Sequence, residues 1–295
     1  MRLIKPHFEI LEQQPGLEGL YKQIELSGRV AYKSEDKITE DSYKGFVDRI
    51  IKLNHGAVLE HGTVYLEIPC YADDSTSNIV YRYINNKYSI VRDVYGIISN
   101  IVQFDHTAYI TTNLRVLVEN DWMDDLKYIC EPTKYHEKRV CVKFICDRGI
   151  SHEFVRHRTF SFLMESTRYC NYSKNKFGNE LTFIIPCWLD YAEQQFTDKD
   201  DSSIRTDLSE NEYFIDLLLE AENTYNYLVQ YCGWKPQQAR AILPNSLKTE
   251  LVMTGFVSDW KHFFKLRDAG SAHPQAQELA KPLHEEFIRR NYVNE

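Results

Sequence analysis

Hydrophobic spacing along the chain predicts helices and strands that do not strictly alternate. In residues 41–53 (DSYKGFVDRIIKL), Phe46, Ile50, Ile51 and Leu53 recur at helical intervals, with Asp41 placed to cap the start. NHGAVLEHG follows as a predicted loop, and TVYLEI then alternates like a strand. From Cys70 to about His136 the pattern breaks into short mixed elements rich in tyrosine, with no obvious reaction centre. KRVCVKFIC (138–146) alternates again and predicts a strand, after which GISHEFVRHR turns helical. Residues 172–179 and 198–209 read as loops, whereas 210–232 keeps apolar positions every three or four residues, a helix that Gly233 can stop. Pro236 opens a further helix that Pro244 closes, Asp259 is placed to cap DWKHFFKLRD, and Pro274 starts a last helix rich in Glu and Lys. Without a βαβ rhythm the fold class is α+β, an antiparallel or mixed sheet flanked by helices.

At 295 residues the chain can bury a sizeable core, as one large domain or two smaller ones. Thirty-five basic against 43 acidic residues give a formal charge of −8, which argues against a broad nucleic-acid footprint. No apolar run approaches the roughly 20 residues that span a bilayer. The N-terminus, broken by Pro6 and by charges, does not read as a signal peptide. Seven cysteines without regular spacing suit a reducing compartment, so the cytoplasm is the expected location.

Against that acidic background, residues 156–169 (RHRTFSFLMESTRY) gather Arg156, Arg158 and Arg168 with Ser161 and Ser166. On a helix, positions two apart diverge by about 200°, so Arg156 and Arg158 share a side only in an extended or helix-terminal backbone. A helix running into a loop is the predicted geometry, since serine and threonine favour turns. Arginine forks with hydroxyls can cradle phosphate or a paired carbonyl edge, and Phe160, Phe162 and Tyr169 can wall or stack on a planar ring. A solvated charge cluster or an internal ion-pair network would use the same residues.

The full pattern Arg156-His157-Arg158-x-x-Ser161-x-x-x-x-Ser166-x-Arg168-Tyr169 resembles the signature of flavin-dependent thymidylate synthases. LEHG (59–62), ARAILP (239–244) and HFFKLRDAGSAHP (262–274) resemble other blocks of that family, in the family's order. Relative to compact members, about 71–137 looks like an insertion within a single large domain spanning 1–295.

The resemblance implies reductive methylation of dUMP to dTMP, with methylenetetrahydrofolate as carbon donor and FAD as the flavin, reduced by NADPH. It implies that Arg156, His157 and Arg158 contact FAD, with Thr63, Met164, Phe256, Val257, Ser258 and His262 as further flavin contacts. For dUMP it implies Glu153, Arg156, Met164, Glu165, Ser166, Thr167, Arg168, Arg240 and Arg267. Arg267 would lie against the uracil and favour ionisation at N3, and His61 would help position water or the methylene donor, making these two the catalytic candidates. Met164 departs from the family's usual Glu or Gln, so whether it or Glu165 fills that role stays open. His262 reads equally well as a helix residue packed under Trp260 and Phe264.

The family does not use a cysteine nucleophile, and no cysteine here sits in a motif that would lower its pKa. The resemblance also implies a homotetramer with shared active sites. A nucleic-acid module would need a longer basic stripe, and a hydrolase metal site from His55, His61 and His157 lacks the usual spacing. No metal, nucleic acid or membrane partner is expected.

Overall fold

The computed structural model describes residues 1–70, 76–93, 106–173, 180–196 and 208–294. Its central sheet runs in the order β2 (His7–Leu11), β6 (Arg139–Asp147), β10 (Lys248–Phe256), β7 (Ser161–Met164), with antiparallel neighbours throughout. β6 and β10 pair along their whole lengths, from Arg139 opposite Phe256 to Asp147 opposite Lys248. Alternation then sorts the side chains. Val140, Val142 and Phe144 share one core with Leu251 and Met253, while Cys141 and Val252 meet Val30 in another.

The first face is covered by α6 (Arg148–Phe154), α9 (Val257–Arg267) and α10 (Pro274–Arg289). Phe154, Trp260, Phe263 and Phe287 from these helices are fully buried, each contributing about 1.5–3 kcal/mol. The second face is covered by α1 (Gly16–Tyr32), which the hydrophobic spacing did not predict. α1 lies so close to α2 (Ser42–Lys52) that a Cβ on Gly28 would come within 2.6 Å of the Phe46 ring.

A second sheet, β3 (Thr63–Cys70), β5 (His106–Asn113), β4 (Ile90–Asp93), packs with α3 (Gly56–Leu59), α4 (Thr76–Ile84) and α5 (Leu114–Glu119). β5 pairs with β3 from end to end, and Tyr83 and Leu117 are fully buried. The described part of the expected insertion is therefore built into a core rather than laid over one. A third sheet joins β1 (Arg2–Ile4) in parallel to β8 (Thr182–Ile184) and antiparallel to β9 (Gln194–Gln195), beside α7 (Glu210–Gln230) and α8 (Pro236–Ala239). The fold is α+β, with antiparallel and mixed sheets flanked by helices.

Several local expectations need correction. The segment NHGAVLEHG is not all loop, because Gly56–Leu59 closes one helical turn. Asp259 does not occupy the cap of α9; it sits in the first turn and accepts the Phe256 N–H at 3.1 Å. Asp41 holds the cap position of α2 without a side-chain hydrogen bond. The stretch after α6 does not stay loop, since Ser161–Met164 joins the sheet as β7. In the predicted loops, residues 174–179 and 198–207 lie outside the described residues.

Candidate active site

α6 ends at Phe154, and the turn that follows exposes Arg156 and Arg158 on either side of buried His157. The His157 ring is 5.0 Å from the Phe263 ring, and its Nε2 accepts from Arg267 Nε at 3.0 Å. A guanidinium can only donate, so the His157 proton sits on Nδ1. Arg267 also donates to Glu153, through Nη1 to Oε2 at 2.6 Å and through Nη2 to the carbonyl at 2.9 Å. Burial, followed by Arg267, His262 and Arg156, holds the His157 pKa down at about 4. The ring is therefore a neutral acceptor at pH 7. It fixes the orientation of Arg267, which keeps two of its five N–H donors for other use.

Met164 and Glu165 then face opposite ways, as strand geometry requires. Met164 packs against the helix-covered core and lies 3.7 Å from Ser151 Oγ. Glu165 is buried, accepting from Tyr172 Oη at 2.9 Å and from Lys248 Nζ at 2.8 Å. Lys248 also reaches Glu250 at 2.6 Å, and Lys33, the left-handed C-cap of α1, pairs with Glu250 from the other side. Burial opposes ionisation of Glu250, but Lys248 and Lys33 overcome it and hold its pKa at about 2.

Directly after Glu165, the Ser166 N–H is tied to the Ala31 carbonyl at 3.1 Å. Thr167 is buried, and its Oγ1 accepts from Arg240 Nη1 at 3.4 Å. Both line a cleft of about 510 Å³ together with Arg148, Gln237, Leu243 and Leu247. Arg168 is exposed, 5.2 Å from the Tyr169 ring.

His61 lies elsewhere, fully buried, with Nδ1 2.8 Å from Thr254 Oγ1 and, among the described residues, no hydrogen-bond partner at Nε2. Burial and then Arg139 push its pKa down to about 3, against a small opposing pull from the Phe162 carbonyl. Arg139 donates to Thr63 Oγ1 at 3.3 Å and to the Glu60 carbonyl at 3.0 Å, and it lies 5.5 Å from the Phe256 ring. His61, Thr63 and Arg139 share a cleft of about 250 Å³ with Gln23, Lys138 and Tyr292. Val257 is buried, Ser258 is exposed, and His262 is exposed with its ring 6.3 Å from His157, not packed beneath Trp260 and Phe264.

The candidate residues thus fall into three groups. Glu153, His157 and Arg267 are in direct contact, with His262 nearby. Thr167 and Arg240 form a second group, and Arg139 links Thr63 to Phe256 beside His61 in a third. Sequence reading missed Arg139, Arg148, Lys248 and Thr254. Arg139 and Lys248 stand at ends of the paired strands β6 and β10, and the alternation of KRVCVKFIC, which contains Arg139, was the available signal for the first of them. Cys170 is buried, which pushes its thiol up to about 12, so it is protonated at neutral pH. Among the described residues no three His, Cys, Asp or Glu side chains gather as a metal site.

Residues 139–290 match the family described as thymidylate synthase complementing protein. The chain belongs to this family. The family match takes in the 156–169 stretch, Arg240 and Arg267, and leaves His61 and Thr63 outside it. A flavin-dependent thymidylate synthase of Pyrococcus furiosus is 30% identical over 148 residues, 50% of this chain and 53% of that one. A flavin-dependent thymidylate synthase of Corynebacterium glutamicum is 27% identical over 147 residues, 45% of this chain and 50% of that one. The chain therefore spans about half the length of the curated relatives it matches. A UMP/dUMP methylase of Streptomyces cacaoi, solved with 5-Br dUMP, covers 98% of this chain and 93% of its own, at 15% identity and a TM-score of 0.42. That structural likeness is too weak to carry chemistry across.

Proposed function

We propose that the chain is a flavin-dependent thymidylate synthase that converts dUMP to dTMP. In this reading methylenetetrahydrofolate supplies the carbon, and bound FAD, reduced by NADPH, supplies the reducing equivalents. One observation carries it. The 156–158 turn presents Arg156 and Arg158 to solvent around a neutral His157 that itself orients Arg267. Cationic donors beside a flavin's pyrimidine edge favour its reduced, anionic form. The two unused N–H groups of Arg267 suit a uracil carbonyl edge and would favour ionisation at N3.

Thr167 and Arg240 suit the nucleotide phosphate, with Ser166 and exposed Arg168 on the same loop. His61, with its buried, unpartnered Nε2 and low pKa, is suited to accept or donate one hydrogen bond as a neutral ring. The protonated Cys170 supports a route without a thiol nucleophile. Glu165 is engaged by Lys248 and Tyr172, so in this chain it holds the nucleotide loop from beneath, and Met164 offers the site only backbone and thioether.

The residues suit a flavin, which in this reading is held between subunits. The His61–Thr63–Arg139 cleft, at about 250 Å³, falls below the roughly 300–1,000 Å³ usual for whole ligands. The separation of the candidate residues into three groups supports a homotetramer with shared active sites. Seven free cysteines support action in the cytoplasm. The test is product formation. Protein stripped of flavin and supplied with dUMP, methylenetetrahydrofolate, NADPH and FAD should yield dTMP, and omission of any one should stop it. No dTMP from the complete mixture would overturn the reading.

A further inference from the structure

Arg148 was not among the expected site residues, and nothing in the chemistry above uses it. It opens α6, where its backbone N–H is fastened to the Asn245 and Leu247 carbonyls at 2.9 and 3.1 Å. Gly149 makes a longer bond, at 3.4 Å, to the same Asn245 carbonyl. These bonds tie the start of α6 to the turn that follows Arg240. The Arg148 side chain lines the cleft shared by Thr167 and Arg240, and among the described residues it has no hydrogen-bond or ion-pair partner. The adjacent carboxylate makes no ion pair with it among the described residues and is taken up elsewhere. Asp147 Oδ1 accepts the Ile150 N–H at 2.8 Å and Oδ2 accepts from Gln275 at 2.9 Å. Among the described residues, Arg240 in the same cleft is held by a neutral hydroxyl alone. Two guanidinium groups with no ion-pair partner among the described residues, on one cleft of a chain with formal charge −8, suit an anion of more than one charge.

We infer that Arg148 is a second guanidinium for the 5′-phosphate of the nucleotide, and that with Arg240 it makes the cleft select a dianionic monophosphate over the uncharged nucleoside. The inference rests on the proposed use of Thr167 and Arg240 for a uridine nucleotide. Because only the Arg148 backbone is fastened, its side chain can be changed without removing those bonds.

The experiment is calorimetric titration of the flavin-loaded protein with dUMP and, separately, deoxyuridine, for wild type, Arg148→Met and Arg148→Lys. Loss of one charge-assisted contact should weaken dUMP binding of Arg148→Met roughly 10- to 100-fold and leave deoxyuridine unchanged. Arg148→Lys, which keeps the charge but not the fork, should fall between the two. If wild type binds dUMP and Arg148→Met matches it within about twofold, the inference alone is overturned. Equal weakening toward dUMP and deoxyuridine also overturns it, because the effect would not be on the phosphate. If wild type binds neither ligand, the nucleotide reading falls and this inference with it.

Discussion

Replacing Lys248 by Met should expose how strongly the loop after β7 depends on charge beneath it. Lys248 is the only cation described within ion-pair distance of Glu165, which is 3% exposed, and it shares Glu250, 7% exposed, with Lys33. Removing one partner from a buried pair costs about 3–5 kcal/mol, since the carboxylate left behind has lost both water and counter-charge. The depressed Glu250 carboxyl points to an energy of similar size. A folded pKa of about 2 against an ordinary 4.5 corresponds to about 3 kcal/mol, shared between its two lysines. This stabilisation is full above pH 4.5 and is lost as pH falls through 2. Thermal and urea unfolding at pH 7 should therefore show Lys248→Met destabilised by about 3–5 kcal/mol, with the Tm lower by roughly 6–20 °C. Adding Glu165→Gln to Lys248→Met should recover part of the loss, because the stranded charge is gone. A single variant within about 1 kcal/mol of wild type, or a double variant less stable than the single, would refute this reasoning.

Acid should act earlier through His61 and His157. Both are neutral in the fold, with pKa values of about 3 and 4 against 6.5, so their contribution is full above pH 6.5 and declines as pH falls through 4 and 3. Between pH 7.5 and 5, urea unfolding should lose about 2 kcal/mol for each ring, and a flat profile contradicts their burial as neutral groups. Arg267→Ala should abolish dTMP formation while FAD occupancy is retained; normal product formation would remove Arg267 from the chemistry. Cys170→Ala should leave turnover standing, and a folded but inactive variant would restore the case for a thiol nucleophile.

What the sequence made legible followed from local pattern. The helices α2, α7 and α10 and the strands β3 and β6 carry their periodicity and stop signals within themselves. β10 was missed although it is the partner of β6 over its full length, because Lys248 and Glu250 break its apolar run. Those charges are buried only because Glu165 and Lys33 arrive from distant parts of the chain. The 156–169 stretch pointed to the family that the chain matches, but not to how its residues divide between solvent and core. His157 is buried by Phe263, which lies 106 positions later in the chain. Arg139 and Arg148 escaped notice for a related reason. Each looks like an ordinary polar residue at a strand end until long-range packing places it in a cleft.

In the proposed function, the exposed arginines of the 156–158 turn and Arg267 hold a uridine nucleotide against a flavin. The most direct test is the visible absorbance of the FAD-loaded protein, recorded before and after addition of dUMP. The account predicts a flavin spectrum that shifts saturably with dUMP and does not shift with dUMP in the Arg267→Ala variant. A protein that takes up no FAD, or whose flavin spectrum is indifferent to dUMP, would contradict it.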